Sequence, residues 1–66
     1  MIINKLKEIR MKEYLMNQKE FSEMLEVSNK SYSVWEKGSS KPAVDLALKI
    51  AKKLNRKVED IWSLED

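Results

Sequence analysis

The apolar residues of this chain fall at helical spacing in five successive groups, most of them bounded by a recognisable start or stop signal. Leu6, Ile9 and Tyr14 follow Asn4, a fair N-cap, which predicts a first helix from residue 4 or 5 to 15. Ahead of it the segment MII is short, β-branched and apolar. The next start is the clearest in the chain. Asn17 serves as N-cap, Glu20 three residues on completes a capping box, and Met16 with Phe21 forms a hydrophobic staple, so a second helix runs to about Leu25. Ser28 repeats the scheme for a third helix, with Val27 and Tyr32 as staple and Gly38 where a left-handed residue ends it. In the segment AVDLALKIAKKLN, Val44, Ala47, Leu48, Ala51 and Leu54 share one face, and Leu46 and Ile50 widen it, which predicts a fourth helix packed on more than one side. VEDIW reads as one last short helix.

Only Glu26, Val27 and Ser28 separate helices two and three, a turn too tight to lay them antiparallel. They must cross steeply, which leaves the outer face of the third uncovered. At 100° per residue that helix puts Tyr32 and Trp35 on one side and Lys30, Ser33, Val34 and Lys37 on the other, with Asn29 at the border. Asn and Ser are indifferent helix formers, and an ordinary solvated face more often carries Glu, Lys and Gln. The outer side is therefore a candidate binding face, with an idle polar face as the alternative.

Composition narrows the chemistry. Sixty-six residues make one small domain, near the lower limit for burying a sufficient core, so help from a second subunit is in play. The absence of Cys and His removes disulfides, thiolate and imidazole nucleophiles and the usual zinc ligands. No catalytic, metal or cofactor residues are expected. No apolar run exceeds three residues, and the opening MIINKLKEIR lacks the apolar core of a signal peptide, which predicts a cytoplasmic protein with no membrane contact. One Gly and one Pro fit a mostly helical chain. The net charge of +2 is unevenly spread: residues 1–27 are neutral, 28–57 carry eight Lys/Arg against Glu36 and Asp45, and 58–66 are purely acidic. The basic excess begins on the third helix, which points to a polyanion. Any single lysine taken alone is more simply a solvated side chain.

The string NQKEFSEMLEVSNKSYSVWEKGSSKP, followed by LALKIAKKL and VEDIW, resembles the helix-turn-helix domain of Cro and lambda-repressor type regulators, the XRE family. In that family a Gln opens helix two, apolar residues follow at its fourth and eighth positions, Val stands at the turn, and an apolar pair and a Glu follow inside the recognition helix. Here those places hold Gln18, Phe21, Leu25, Val27, Tyr32, Trp35 and Glu36. The resemblance implies an all-α fold: a five-helix lambda-repressor-like DNA-binding domain over residues 1–66, with the motif at about 18–37 and the terminal segments available for a short two-stranded sheet. It also implies sequence-specific double-stranded DNA binding. Family recognition helices place Asn29, Lys30, Ser33 and Val34 on base edges in the major groove, where Asn suits adenine, Lys guanine, and Val a thymine methyl. Gln18 and Lys19 at the start of helix two, with Lys37, Ser40 and Lys41 beside the recognition helix, are the implied phosphate contacts. Lys49, Lys52 and Lys53 fall on a helix behind the motif and are read as solvated.

The family's acid at Glu36 often pairs with an Arg of helix one, for which Arg10 is the candidate. Several positions depart from the pattern. The interval from Arg10 to Gln18 is one residue longer than usual, Glu26 replaces the turn Gly, and Ala43 and Lys57 stand where better N-caps belong. Members usually act as twofold dimers, so a homodimer is expected, with a contact at Val58, Ile61, Trp62 and Leu64 and with Ile2 or Ile3 nearby. Trp62 as a plug for the bottom of the core is the alternative. No small-molecule effector is evident, and steric repression is the simplest mode of control. An antitoxin on the same fold and a protein-interaction module are the other readings.

Overall fold

A computed structural model describes residues 2–64. Met1 of the apolar opening segment and the acidic pair Glu65 and Asp66 lie outside the described residues. Strand β1 (Ile2–Asn4) leads into α1 (Leu6–Ile9), which continues as a π-helical stretch, Arg10–Tyr14. Then come α2 (Gln18–Leu25), α3 (Asn29–Lys37), α4 (Val44–Lys53), α5 (Val58–Ile61) and β2 (Trp62–Leu64). The two strands pair antiparallel, Ile2 opposite Leu64 and Asn4 opposite Trp62, so the small sheet joins both ends of the chain. The fold is the expected helical one with the small terminal sheet.

The π stretch is where the extra residue goes. A wider turn takes up one residue without changing what the helix presents before it, and here Leu15, in the left-handed conformation at φ 53°, donates its N–H to the Arg10 carbonyl. The first helix thus ends at Tyr14 rather than Leu15, whose side chain is 82% exposed. At its other end Lys5, not Asn4, takes the cap position, although the Asn4 side chain still accepts the Leu6 N–H at 3.2 Å.

Capping chemistry sets the middle of the chain as the residues dictate. Asn17 Oδ1 accepts from Glu20 N–H at 2.8 Å while Glu20 Oε1 accepts from Asn17 N–H at 3.0 Å, completing the box. Ser28 Oγ accepts from Ser31 N–H at 3.1 Å. Ala43 gives α4 no side-chain cap, and at α5 the Asp60 carboxylate reaches back to the Lys57 N–H at 3.2 Å. Gly38 closes α3 at φ 82°, a conformation that suits a residue without Cβ.

Glu26 adopts the same left-handed backbone at φ 62° between α2 and α3. Its side chain is exposed, and its ion pair with Lys53 at 3.4 Å is of the surface kind that contributes little. Glu26→Gly should therefore stabilise the fold by about 1 kcal/mol, a rise of roughly 4–8 °C in melting temperature for a domain of this size. A thermal melt followed by circular dichroism checks this, and a lower melting temperature would contradict it.

The core gathers Leu6 and Ile9 from α1, Phe21 and Leu25 from α2, Tyr32 and Trp35 from α3, Ile50 and Ala51 from α4, Leu54 just past it, and Ile61 from α5. Phe21 sits between two tyrosines, its ring centroid 5.2 Å from Tyr14 and 5.5 Å from Tyr32 in tilted and edge-on arrangements that aromatic quadrupoles favour. One sequence expectation is corrected here. The fourth helix packs through Ala47, Ile50, Ala51 and Leu54, with Leu46 half-buried beside them, and leaves Val44 at 76% and Leu48 at 56% exposure. Its apolar arc covers more than half the helix circumference, and with Ala47, Ile50, Ala51 and Leu54 turned to the core, Val44 and Leu48 fall on the outer edge of that arc.

Candidate nucleic-acid interface

The geometry of α3 follows from what lies beneath it. Tyr32 is fully buried and Trp35 nearly so, which turns Asn29 and Lys30 fully outward and leaves Ser33 and Val34 half-buried at the edge of the same outer face. Lys37, Ser40 and Lys41 continue this exposed side past the end of the helix. Lys19 is exposed in the first turn of α2. The four residues named for base reading and four of the five named for phosphate contact thus offer surface around one helix.

Gln18, the fifth, is half-buried, and its side chain is engaged inward: Nε2 donates to Glu36 Oε1 at 2.9 Å. Any phosphate contact at Gln18 is left to its backbone N–H, which lies in the unpaired first turn of α2.

Glu36 is the centre of a buried polar cluster. Arg10 meets it in two-pronged fashion, Nε to Oε2 at 3.1 Å and Nη2 to Oε1 at 3.0 Å, and the third guanidinium nitrogen donates to the Met16 carbonyl at 2.9 Å. Side-chain exposures of 11% and 6% place the pair out of solvent. Burial pushes the Glu36 carboxyl up, but the hydrogen bonds and charge of Arg10 and the hydrogen bond from the Gln18 amide outweigh it, and Glu36 titrates below the usual carboxylate range. The Glu36 hydrogen bonds hold Arg10 still further above its ordinary value. The Tyr32 hydroxyl is buried beside this pair without meeting hydrogen-bond geometry, and burial drives its ionisation far upward. One carboxylate at the C-terminal end of α3 is thus gripped from the π-helical stretch and from the start of α2. That ties the last turn of α3 to the elements before it.

A second surface borders the terminal sheet. Ile2, Pro42, Val44, Leu48, Val58 and Trp62, with Lys41 at its edge, line a mostly apolar groove of about 240 Å³, and the exposed Leu64 pairs with Ile2 across the sheet. Trp62 is half-buried against the core, as the alternative reading expected, and it also lines the groove. Ile61 is removed from the expected contact set. At 1% exposure it belongs to the core and offers a partner no surface.

Val44 and Leu48 were not foreseen in that surface, nor was the Gln18 bond to Glu36, and nothing in their spacing would have revealed either. Among the described residues no cluster of His, Cys, Asp or Glu could hold a metal ion, and no helix is long and apolar enough to cross a membrane.

Comparison with known proteins agrees with this geometry. A profile of the helix-turn-helix family matches residues 6–61, which takes in every helix described above. The chain is also 36% identical over 63 residues to an uncharacterized HTH-type transcriptional regulator of Bacillus subtilis strain 168, YgzD, covering 96% of this chain and 94% of that protein. With a buried pair of rings beneath, an exposed amide, ammonium and hydroxyl face above, and a family match along most of its length, the chain belongs to the XRE-type helix-turn-helix family of DNA-binding transcriptional regulators.

Proposed function

We propose that the protein is a repressor acting in the cytoplasm as a homodimer on an inverted-repeat operator, with α3 of each copy in the major groove of one half-site. The observation that supports this reading is the outer face of α3, where Asn29 and Lys30 are exposed and Ser33 and Val34 are half-buried at its edge. Asn29 offers a bidentate amide for adenine, Lys30 a donor for guanine O6 and N7, Ser33 a short adaptable hydroxyl, and Val34 a contact for a thymine methyl. Lys19, Lys37, Ser40, Lys41 and the Gln18 backbone fix register on phosphates without reading sequence. The apolar groove, with Val58, Trp62 and Leu64, is the surface through which two copies join, spaced for half-sites about 34 Å apart. No catalytic group, cofactor or small-molecule effector has a part in this scheme, so occupancy of the operator is itself the control.

Selection of bound duplexes from a randomised pool supplies the operator and the test. Lys30→Ala should relax preference at one or two base pairs, each worth about 1–3 kcal/mol of discrimination. Lys41→Ala should weaken all sequences alike and reduce the salt slope of log affinity by about 1. Identical behaviour of the two variants would contradict the division between readers and positioners.

A further inference from the structure

Asn4 ties the recognition helix to the terminal sheet. It ends β1 opposite Trp62 of β2, and its half-buried side chain makes two hydrogen bonds in different directions. Nδ2 donates to the Trp35 carbonyl at 3.1 Å, across 31 positions of sequence, while Oδ1 accepts the Leu6 N–H at 3.2 Å. The Trp35 carbonyl lies in the last turn of α3, where backbone acceptors lack an intrahelical donor, and it also receives the Gly38 N–H at 3.0 Å. Ile2 and Trp62, beside Asn4 in the sheet, line the apolar groove and also an adjoining cleft of about 180 Å³, where Asn4 meets Trp35, Ser40 and Lys41. The strand pair that borders the groove therefore also grips the end of the helix that carries the exposed polar face.

We propose that Asn4 is a positioning residue that sets the angle of α3 relative to the sheet side of the molecule, so that two joined copies hold their reading helices at one defined separation. This rests on the reading of α3 as the DNA-contacting helix and of the groove as the contact between copies. A small angular error matters at this scale. A tilt of about 10° acting over half the half-site separation, about 17 Å, moves a contact by about 3 Å, nearly one base-pair step. A neutral hydrogen bond from a half-buried side chain is enough to bias such an angle.

Two variants separate this role from the capping of α1. Asn4→Asp keeps an acceptor for Leu6 N–H but sets a carboxylate oxygen against the Trp35 carbonyl. Asn4→Ser keeps a hydroxyl acceptor and is too short to reach that carbonyl. Each is compared with the unaltered protein on duplexes that carry the selected half-site once, or twice as an inverted repeat at spacings one base pair shorter and longer than preferred. The variants should bind the single half-site within about twofold of the unaltered protein, lose about tenfold on the preferred repeat, and bind the three spacings nearly equally. An unchanged spacing preference, or an equal loss on single and paired half-sites, would overturn the proposal. If only one variant folds it decides the matter; if neither folds, Asn4 is a stability element and the proposal fails. An unaltered protein that binds no duplex is a separate result, which removes the DNA reading and this proposal with it.

Discussion

Arg10→Met should lower the unfolding free energy by about 3–5 kcal/mol, because it leaves the Glu36 carboxylate buried without its guanidinium. A chain of this length has roughly 3–10 kcal/mol in total, so the variant should be largely unfolded or close to it at 37 °C. Methionine keeps much of the arginine stem's volume, which makes the effect one of charge and hydrogen bonding more than of packing. The companion double variant, Arg10→Met with Glu36→Leu, should recover most of the loss, since removing both charges also removes the cost of burying them. Urea denaturation of the three proteins checks this, and a loss below about 1 kcal/mol for Arg10→Met would show that water reaches Glu36 freely. The same pair predicts a pH dependence. Glu36 titrates lower in the folded chain than in the unfolded one, so its contribution is fully present above the unfolded value of about 4.3 and is lost as pH falls through the lower folded value. Stability should be level near neutrality and decline in acid, and Glu36→Gln should flatten that decline.

The second large effect is expected at the groove. Val44→Glu with Leu48→Glu places two carboxylates on side chains that are mostly exposed, so the stability of the single copy should change by no more than about 0.5 kcal/mol each. Joining two copies through this surface would instead require burying both charges in an apolar seam. The variant should sediment as a monomer where the unaltered protein is a dimer. It should also lose at least about a hundredfold on the inverted repeat, the factor by which bivalent engagement exceeds a single site, with single half-site affinity preserved. A variant that keeps both dimer mass and repeat affinity would place the contact between copies elsewhere.

How much of this was legible in the sequence depended on whether the determining interaction is local. The boundaries of α2 and α3 follow from Asn17, Glu20, Ser28 and Gly38, each acting within four residues, and they stand where the capping chemistry put them. Tyr32 and Trp35 were assigned inward by period alone and are buried. The orientation of α4 was not legible, because its apolar arc is wider than the stripe the core takes up, and which edge faces water depends on tertiary packing that the spacing does not encode. The long interval between Arg10 and Gln18 signalled an irregularity without its form; a π turn absorbs it and preserves the ion pair. Asn4 was read as a cap from its neighbours, and its bond to Trp35 depends on a sheet that pairs the two chain ends.

The central claim is that the outer face of α3 is where DNA is read. Titration of the isotopically labelled protein with a selected half-site duplex, followed by backbone and side-chain NMR, tests it most directly. The largest shifts should fall on Asn29, Lys30, Ser33 and Val34, with a second group at Gln18, Lys19, Ser40 and Lys41. Shifts centred instead on Lys49, Lys52 and Lys53 of α4, or none at duplex concentrations that saturate binding, would contradict it.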